Sequence, residues 1–471
     1  MKIWFEQILY NTRMQPQRPA IVLVDRAITY GMLAAGIESC ARRLVGLNLG
    51  APVAIAVKSP LRQVVLSYAL LRIGVPSMSI GGIGHLSGHL TVAAVLADAH
   101  DASRASAGHR VVAVSDEWFA PEPEAGAPLP RAASGNDICR FSLTSGSTGE
   151  PKLYSDTVAS VGRRVYNNIF SGIDISRTGM LCLQGLSSTW GFANASATLT
   201  AGRTLYLADS TGEAIAMIEL FGIDLLLAST EQVLSLAATA RRTGAQVRSL
   251  RMTVMSGGVP SRTLLEAAMA YLSKDILSLY GATEIGLVTR AMGRDVLADP
   301  GFTGFVAPGV EAAVFDASGN ICPVGKIGSI KVRHTADENA GAEPAWIPLG
   351  DNGWFTPGGG LYVVGRTAGD AAADMRISPL IEAEHILRLE FDYDDAAALI
   401  RDGNGAKPVI QVGIVNNRDT TADKLRASLQ ARGIDAAVEL FALPSIPRGA
   451  SGKVNRVQLK SALERAKPIG R

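Results

Sequence analysis

Thr144-Ser-Gly-Ser-Thr-Gly-Glu-Pro-Lys152 is the stretch from which the rest of the chain can be read. Six consecutive residues carry a hydroxyl or are glycine; an acid, a proline and a cation follow. Just before it, Ile138-Cys-Arg-Phe-Ser-Leu143 reads as a short strand. A strand running into a hydroxyl-rich loop that ends in lysine suits a phosphate group. Glycine lets backbone N–H groups approach closely, Ser and Thr donate from their hydroxyls, and the lysine supplies charge. The loop of the common NTPases, GxxxxGK[ST], needs glycine directly before its lysine, and Pro151 stands there instead. The bland alternative is a polar linker rich in Ser and Gly.

The nonapeptide resembles the phosphate-binding signature of the adenylate-forming superfamily: acyl-CoA synthetases, adenylation domains of peptide synthetases, and luciferases. Further stations follow in that family's order, so that the resemblance spans roughly residues 28–456. It implies that Thr144, Ser145, Gly146, Ser147, Thr148, Gly149 and Lys152 hold the phosphates of ATP. Ser278-Leu-Tyr-Gly-Ala-Thr-Glu284 resembles the family's YGxTE. Tyr280 would stack on adenine, and Gly281 and Ala282 would leave room for the acyl group. Thr283 would bond an α-phosphate oxygen, and Glu284 would hold Mg²⁺, a hard cation suited to carboxylate oxygen. Alone, YGATE also reads as a strand-to-helix turn. Ser256-Gly-Gly-Val-Pro260 resembles the turn beside adenine, with Gly257, Gly258 and Val259 its members; an ordinary glycine turn after a strand reads the same way.

Gly350-Asp351 and Gly365-Arg366 lie 15 residues apart across an expected hairpin. The resemblance gives Asp351 the ribose hydroxyls, with the Arg366 fork of donors nearby. Pro447-Arg-Gly-Ala-Ser-Gly-Lys-Val-Asn-Arg456 resembles the terminal PxxxxGKxxR, whose lysine, here Lys453, arrives as charge develops on the carboxylate and the α-phosphate. Catalytic roles thus fall to Lys453, Thr283 and Glu284. Amino-acid-activating members carry an Asp near the acyl pocket. The matching stretch Ser187-Ser-Thr-Trp-Gly-Phe192 has no carboxylate, and an ammonium buried without a partner is costly. Trp190, Phe192 and Ala193 point instead to a neutral, apolar aryl or acyl acid, with Ser188, Trp190 and Phe192 the candidates of the acyl pocket, against plain core packing of the aromatics. The hinge departs from the family: Ala368 stands where Asp or Lys is usual, Asp370 lies two further on, and 371–379 lacks the usual glycine. Adenylation is therefore read more firmly than transfer to a thiol, whether CoA or the phosphopantetheine of an acyl carrier protein acting in trans.

Bulk properties agree. The chain has 471 residues, more than one hydrophobic core supports. Apolar residues make up 47% and charged residues 19%, a globular balance. A formal charge of +2, with no basic run interleaved with aromatics, offers no case for nucleic acid. Cys40, Cys139, Cys182 and Cys322 are scattered without metal-ligand spacing, as in a reduced cytoplasmic protein. His85 and His89 sit in a glycine-broken stretch unsuited to a zinc pair. The N-terminus reads as no signal peptide, and no apolar run reaches the ~20 residues of a membrane span.

Strands expected at 20–24, 53–57, 111–114, 180–183, 204–207, 225–228 and 251–255 alternate with helices at 32–44, 63–73, 158–170, 231–242 and 262–272. This is the rhythm of a parallel sheet wrapped by helices. Residues 119–136 hold four prolines and read as a surface linker. From Phe302 the strands shorten, with short ones expected at 311–315, 328–332, 354–355 and 361–364, and glycine becomes dense, the mark of a β-rich region, with a mobile loop expected at 336–344. The fold class expected is α/β: a large N-terminal domain, 1–366, of two α/β subdomains with parallel-type sheets plus a β-rich subdomain, and a small mobile C-terminal α+β lid domain, 367–471. The function expected is ATP-dependent activation of a carboxylic acid to an acyl-adenylate, with transfer to a thiol. Two other classes stand against this: a catalytically impaired nucleotide- or acyl-binding homologue, and a serine hydrolase using Ser145 or Ser147, for which the GxSxG elbow and a nearby His are missing.

Overall fold

A computed structural model describes residues 4–83, 91–103, 108–120, 129–144, 152–170, 179–335, 344–366, 379–403, 406–415, 421–448 and 454–469. The chain divides into two compact units, Met1–Leu227 and Ala228–Arg471.

The first unit is built on buried parallel strands. Every residue of Val53–Ala56 is buried, as are four of the five in Ala94–Asp98; continuous apolar runs of this kind mark strands covered on both faces. Val111–Val114, Ala94–Asp98, Val53–Ala56, Ser77–Ser79 and Ile138–Thr144 lie side by side in that order, all parallel. Lys152–Thr157 closes the edge antiparallel to Ile138–Thr144. The helices Tyr30–Leu47 and Pro60–Arg72 start at capping hydroxyls: Thr29 Oγ1 accepts the Met32 N–H at 3.2 Å, and Ser59 precedes a proline that needs no N–H partner. A second parallel group sets Gly179–Cys182 between Thr204–Tyr206 and residues 225–227. Thr204–Tyr206 pairs in turn with Pro19–Val22. The strand Lys152–Thr157 has no counterpart in the sequence reading, because KLYSDT shows no apolar alternation.

The second unit begins with the helices Thr230–Thr243 and Arg262–Tyr271 and the parallel pair Met252–Ser256 and Asp275–Ala282. From there the strands run antiparallel: Asp275–Ala282, Gly286–Met292, Phe302–Val306, Gly360–Arg366, Ile347–Phe355, Gly328–His334 and Val310–Phe315 are successive neighbours. YGATE is thus the end of a strand and the turn of a hairpin; no helix follows it. Ile347–Phe355 is longer than the expected 354–355, because Pro348, Gly350 and Gly353 resemble loop residues in the sequence. Of the expected linker at 119–136, residues 121–128 fall outside the described residues and 129–136 carry no helix or strand; of the loop expected at 336–344, only Pro344 is among the described residues.

Within the same unit, Asp395–Gly403, Ala406–Val415, Ala437–Ala442 and Pro468–Ile469 form a four-stranded sheet. The helices Pro379–Leu389 and Ala422–Gln430 cover one core of this sheet, with Ile386, Ile410, Val412, Leu425 and Leu440 buried in it. Leu459 and Leu463 of the helix Arg456–Arg465 belong to a second core. Pro379–Leu389 also packs on the helices Thr230–Thr243 and Arg262–Tyr271. There the fully buried Glu382 carboxylate accepts the N–H groups of Arg262 and Thr263, each at 3.0 Å, and the Thr263 hydroxyl. Arg432 Nε lies 3.2 Å from it. His385 Nδ1 meets Ser261 Oγ at 2.7 Å, and Ser261 Oγ accepts the Leu264 N–H.

Candidate nucleotide and acyl site

In the first unit the hydroxyl-rich stretch is bracketed by a hairpin. Thr144 and Lys152 are directly opposite partners on adjacent antiparallel strands. Ser145, Gly146, Ser147, Thr148 and Gly149 lie outside the described residues, as do the side chains of Thr144 and Lys152. Below the loop the hairpin is fixed by a buried polar network that the sequence reading missed. Arg140, 1% exposed, donates from Nη2 to the carbonyls of Leu186 and Ser187 at 2.5 and 2.8 Å, and its guanidinium lies 4.5 Å from the Phe192 ring centre. Burial pushes Arg140 down to about 10. Asp156 pairs with Arg164 at 2.5 Å and accepts from Ser160. Ser142 Oγ and Thr189 Oγ1 are 2.9 Å apart. The available signal was the alternation of Arg140 with Ser142 on one side of an otherwise apolar strand.

The acyl-pocket candidates sit at the start of the helix Thr189–Thr200. Ser188 is its N-cap: its Oγ accepts the Gly191 N–H at 2.9 Å. Trp190 is half-buried, and its indole Nε1 is buried with no partner among the described residues. Phe192 is buried among aromatic neighbours, its ring 6.1 Å from Trp4 and 5.9 Å from Tyr68. Core packing therefore accounts for Phe192 in this structure.

The second unit gathers the adenine and ribose candidates. The Tyr280 hydroxyl donates to Asp351 Oδ2 at 2.7 Å, although 71 residues separate them. Asp351 and Arg366 are opposite partners on neighbouring strands, so the two Gly-led pairs do meet across a hairpin; the Arg366 side chain lies outside the described residues. A side chain at Gly281 would come within 2.2 Å of the Gly286 carbonyl oxygen, so the turn beyond Tyr280 can close only with glycine there. Ala282 packs against the core around Val288 and Leu361. Thr283 and Glu284 form the hairpin turn between Ala282 and Gly286, half-buried. In the turn 256–260, Thr230 Oγ1 lies within hydrogen-bond distance of the Ser256 and Gly258 carbonyls, at 3.3 and 3.2 Å. A side chain on Gly258 would press on Thr230 at 3.1 Å. Val259 is 49% exposed.

Lys453 lies outside the described residues. On either side of residues 449–453, Arg448 and Val454 form an isolated antiparallel bridge, and Arg448 grips Asp395 at 2.6 and 3.2 Å. Among the described residues no cluster of three His, Cys, Asp or Glu side chains is arranged to hold a metal. Glu284 as a single carboxylate fits Mg²⁺, which keeps several waters and takes one or two carboxylates besides substrate phosphates. No helix among the described residues is long and apolar enough to cross a membrane.

The AMP-binding enzyme family matches residues 9–336. An uncharacterized acyl-CoA ligase, YhfT, of Bacillus subtilis (strain 168) is 25% identical over 361 residues, 75% of this chain and 74% of the relative. The structure resembles o-succinylbenzoate coenzyme A synthetase (MenE) from Bacillus subtilis in complex with ATP and magnesium ion, with TM-score 0.75, 20% identity, and coverage of 96% and 99% of the two chains. It also resembles the amide bond synthetase McbA from Marinactinospora thermotolerans, with TM-score 0.72, 18% identity, and coverage of 97% and 99%. With the family match extending over most of the chain and the same fold in these neighbours, the protein belongs to the AMP-binding enzymes of the adenylate-forming superfamily.

Proposed function

We propose that this chain activates a carboxylic acid with ATP and passes the acyl group to a second nucleophile. The observation that carries this reading is the meeting of Tyr280, Asp351 and Arg366, three residues distant in sequence, at one end of the antiparallel strands. Tyr280 offers an aromatic face for adenine, and a carboxylate such as Asp351, with about four acceptor sites, suits the ribose hydroxyls. Lys152 and the hydroxyls of 144–149 take the phosphates, and Thr283 bonds the α-phosphate. Mg²⁺, held by Glu284 and the phosphates, would supply charge neutralisation. The acid's carboxylate oxygen forms a bond to the α-phosphorus as the bond to the β-phosphate oxygen breaks, and pyrophosphate leaves. Positioning and charge do most of the work in such a displacement. Lys453 stabilises the charge that develops.

The substrate we favour is an aryl or acyl acid without an amino group, because 187–192 contains no carboxylate to hold one. The acceptor we favour is the thiol of CoA, whose sulfur attacks the acyl carbonyl and displaces AMP; YhfT and MenE are named for such ligation. A carrier-protein thiol or, as the name of McbA suggests, an amine are the alternatives. Residues 1–366 would form the nucleotide- and acyl-binding domain and 367–471 the lid. Pyrophosphate exchange with a panel of aryl, branched short-chain, long-chain and amino acids tests the reading. Exchange is expected with a subset of the first three classes and not with amino acids. Silence across the whole panel would favour an impaired binding homologue.

A further inference from the structure

The bond between Tyr280 and Asp351 has an unusual origin. In strand order, Gly286–Met292, Phe302–Val306 and Gly360–Arg366 separate the strand Asp275–Ala282 from the strand Ile347–Phe355. Four strand spacings would put the two strands about 19 Å apart in a flat sheet, well beyond the reach of a tyrosine. The 2.7 Å contact therefore exists only because this part of the sheet curls until its ends face each other. The core inside the curl, from Ile285 and Val288 to Ile330, Val332 and Leu361, packs against the Tyr280 ring. Both partners are half-buried, where a hydroxyl donating to an ionised carboxylate is a strong, directional bond.

We propose, resting on the nucleotide-binding reading above, that the Tyr280 hydroxyl is a positioning group for Asp351. By holding Oδ2, it sets the angle at which the carboxylate meets the ribose, so that base platform and sugar acceptor form one preorganised unit. An ionised carboxylate has about four acceptor sites, so the tyrosine and two ribose hydroxyls are served together. Tyr280 thereby controls discrimination at the sugar through its hydroxyl, separately from any contact of its ring with the base.

Calorimetric titration of the full chain with ATP, 2′-deoxy-ATP and 3′-deoxy-ATP in the presence of Mg²⁺ tests this without knowledge of the acid. The intact protein should prefer ATP to each deoxynucleotide. Tyr280→Phe keeps the ring and should reduce that preference by about tenfold, as expected for one charge-assisted bond. Tyr280→Leu, which also lacks any donor, should lose the preference alike and provides a second reading if the first variant folds poorly. Asp351→Asn should abolish the preference, and the double variant Tyr280→Phe/Asp351→Asn should lose no more than Asp351→Asn alone, because the two act as one unit. A preference unchanged in Tyr280→Phe, or losses that multiply in the double variant, overturns the proposal. A preference unchanged in Asp351→Asn overturns it together with the ribose role of Asp351. Failure of pyrophosphate exchange with normal sugar discrimination would strike only the catalytic reading.

Discussion

At the scale of the residue, the Tyr280 hydroxyl bound to Asp351 at 2.7 Å joins two short motifs 71 residues apart. Tyr280, Asp351 and Arg366 are legible because each sits beside a glycine in a short, ordered motif. Arg140 is harder to read: its alternation with Ser142 marks a polar side of the strand, but nothing in ICRFSL shows that it is 1% exposed and holds two carbonyls of a segment about 46 residues away. Lys453 tests the chemistry at this scale. A well-placed ammonium acting on developing charge is worth ~10²–10³ in rate. Lys453→Ala should therefore cut pyrophosphate exchange by at least ~10² while the variant still binds ATP by calorimetry. An undiminished exchange rate would remove Lys453 from the mechanism.

At the scale of elements, buried parallel strands and capped helices were legible because composition and position agree. Val53–Ala56 is apolar throughout and buried throughout. Strands whose residues face different surroundings were lost, as with Lys152–Thr157, or shortened, as with Ile347–Phe355. Docking between elements left no local trace either. Nothing in Pro379-Leu-Ile-Glu382 announces that its carboxylate fills the first amides of the helix Arg262–Tyr271. Glu382 is fully buried, with Arg432 beside it, and removing one partner of a buried charged pair costs about 3–5 kcal/mol. Glu382→Ala should lower the unfolding free energy of the full chain, read from its urea transition, by about that amount. A shift below about 1 kcal/mol would show that water replaces the carboxylate, as at exposed pairs.

For the whole molecule, the α/β architecture and the β-rich region were foreseen from the order of segments, since strand–helix alternation prescribes a parallel sheet. The two compact units, Met1–Leu227 and Ala228–Arg471, follow no change of composition and could not be read. Global stability should depend on acidity through the second unit. Burial, and then the charge of Arg388, pushes His385 down from 6.5 to about 3. Between those values the unfolded chain binds a proton that the folded chain refuses, so this contribution is complete above about 6.5 and is lost progressively as pH falls toward 3. His385→Gln should show a flatter decline of melting temperature over that range than the parent protein. Parallel declines would mean that His385 is not the titrating group.

The carboxylate of Glu382 has a further consequence. The amino end of the helix Arg262–Tyr271 follows directly on the turn 256–260, where it would ordinarily attract an anion. That positive pole is already neutralised from within the chain. The first amides of this helix are thus taken by the chain's own side chains, so in the nucleotide-binding reading proposed above the turn 256–260 would meet its ligand without a helix pole behind it.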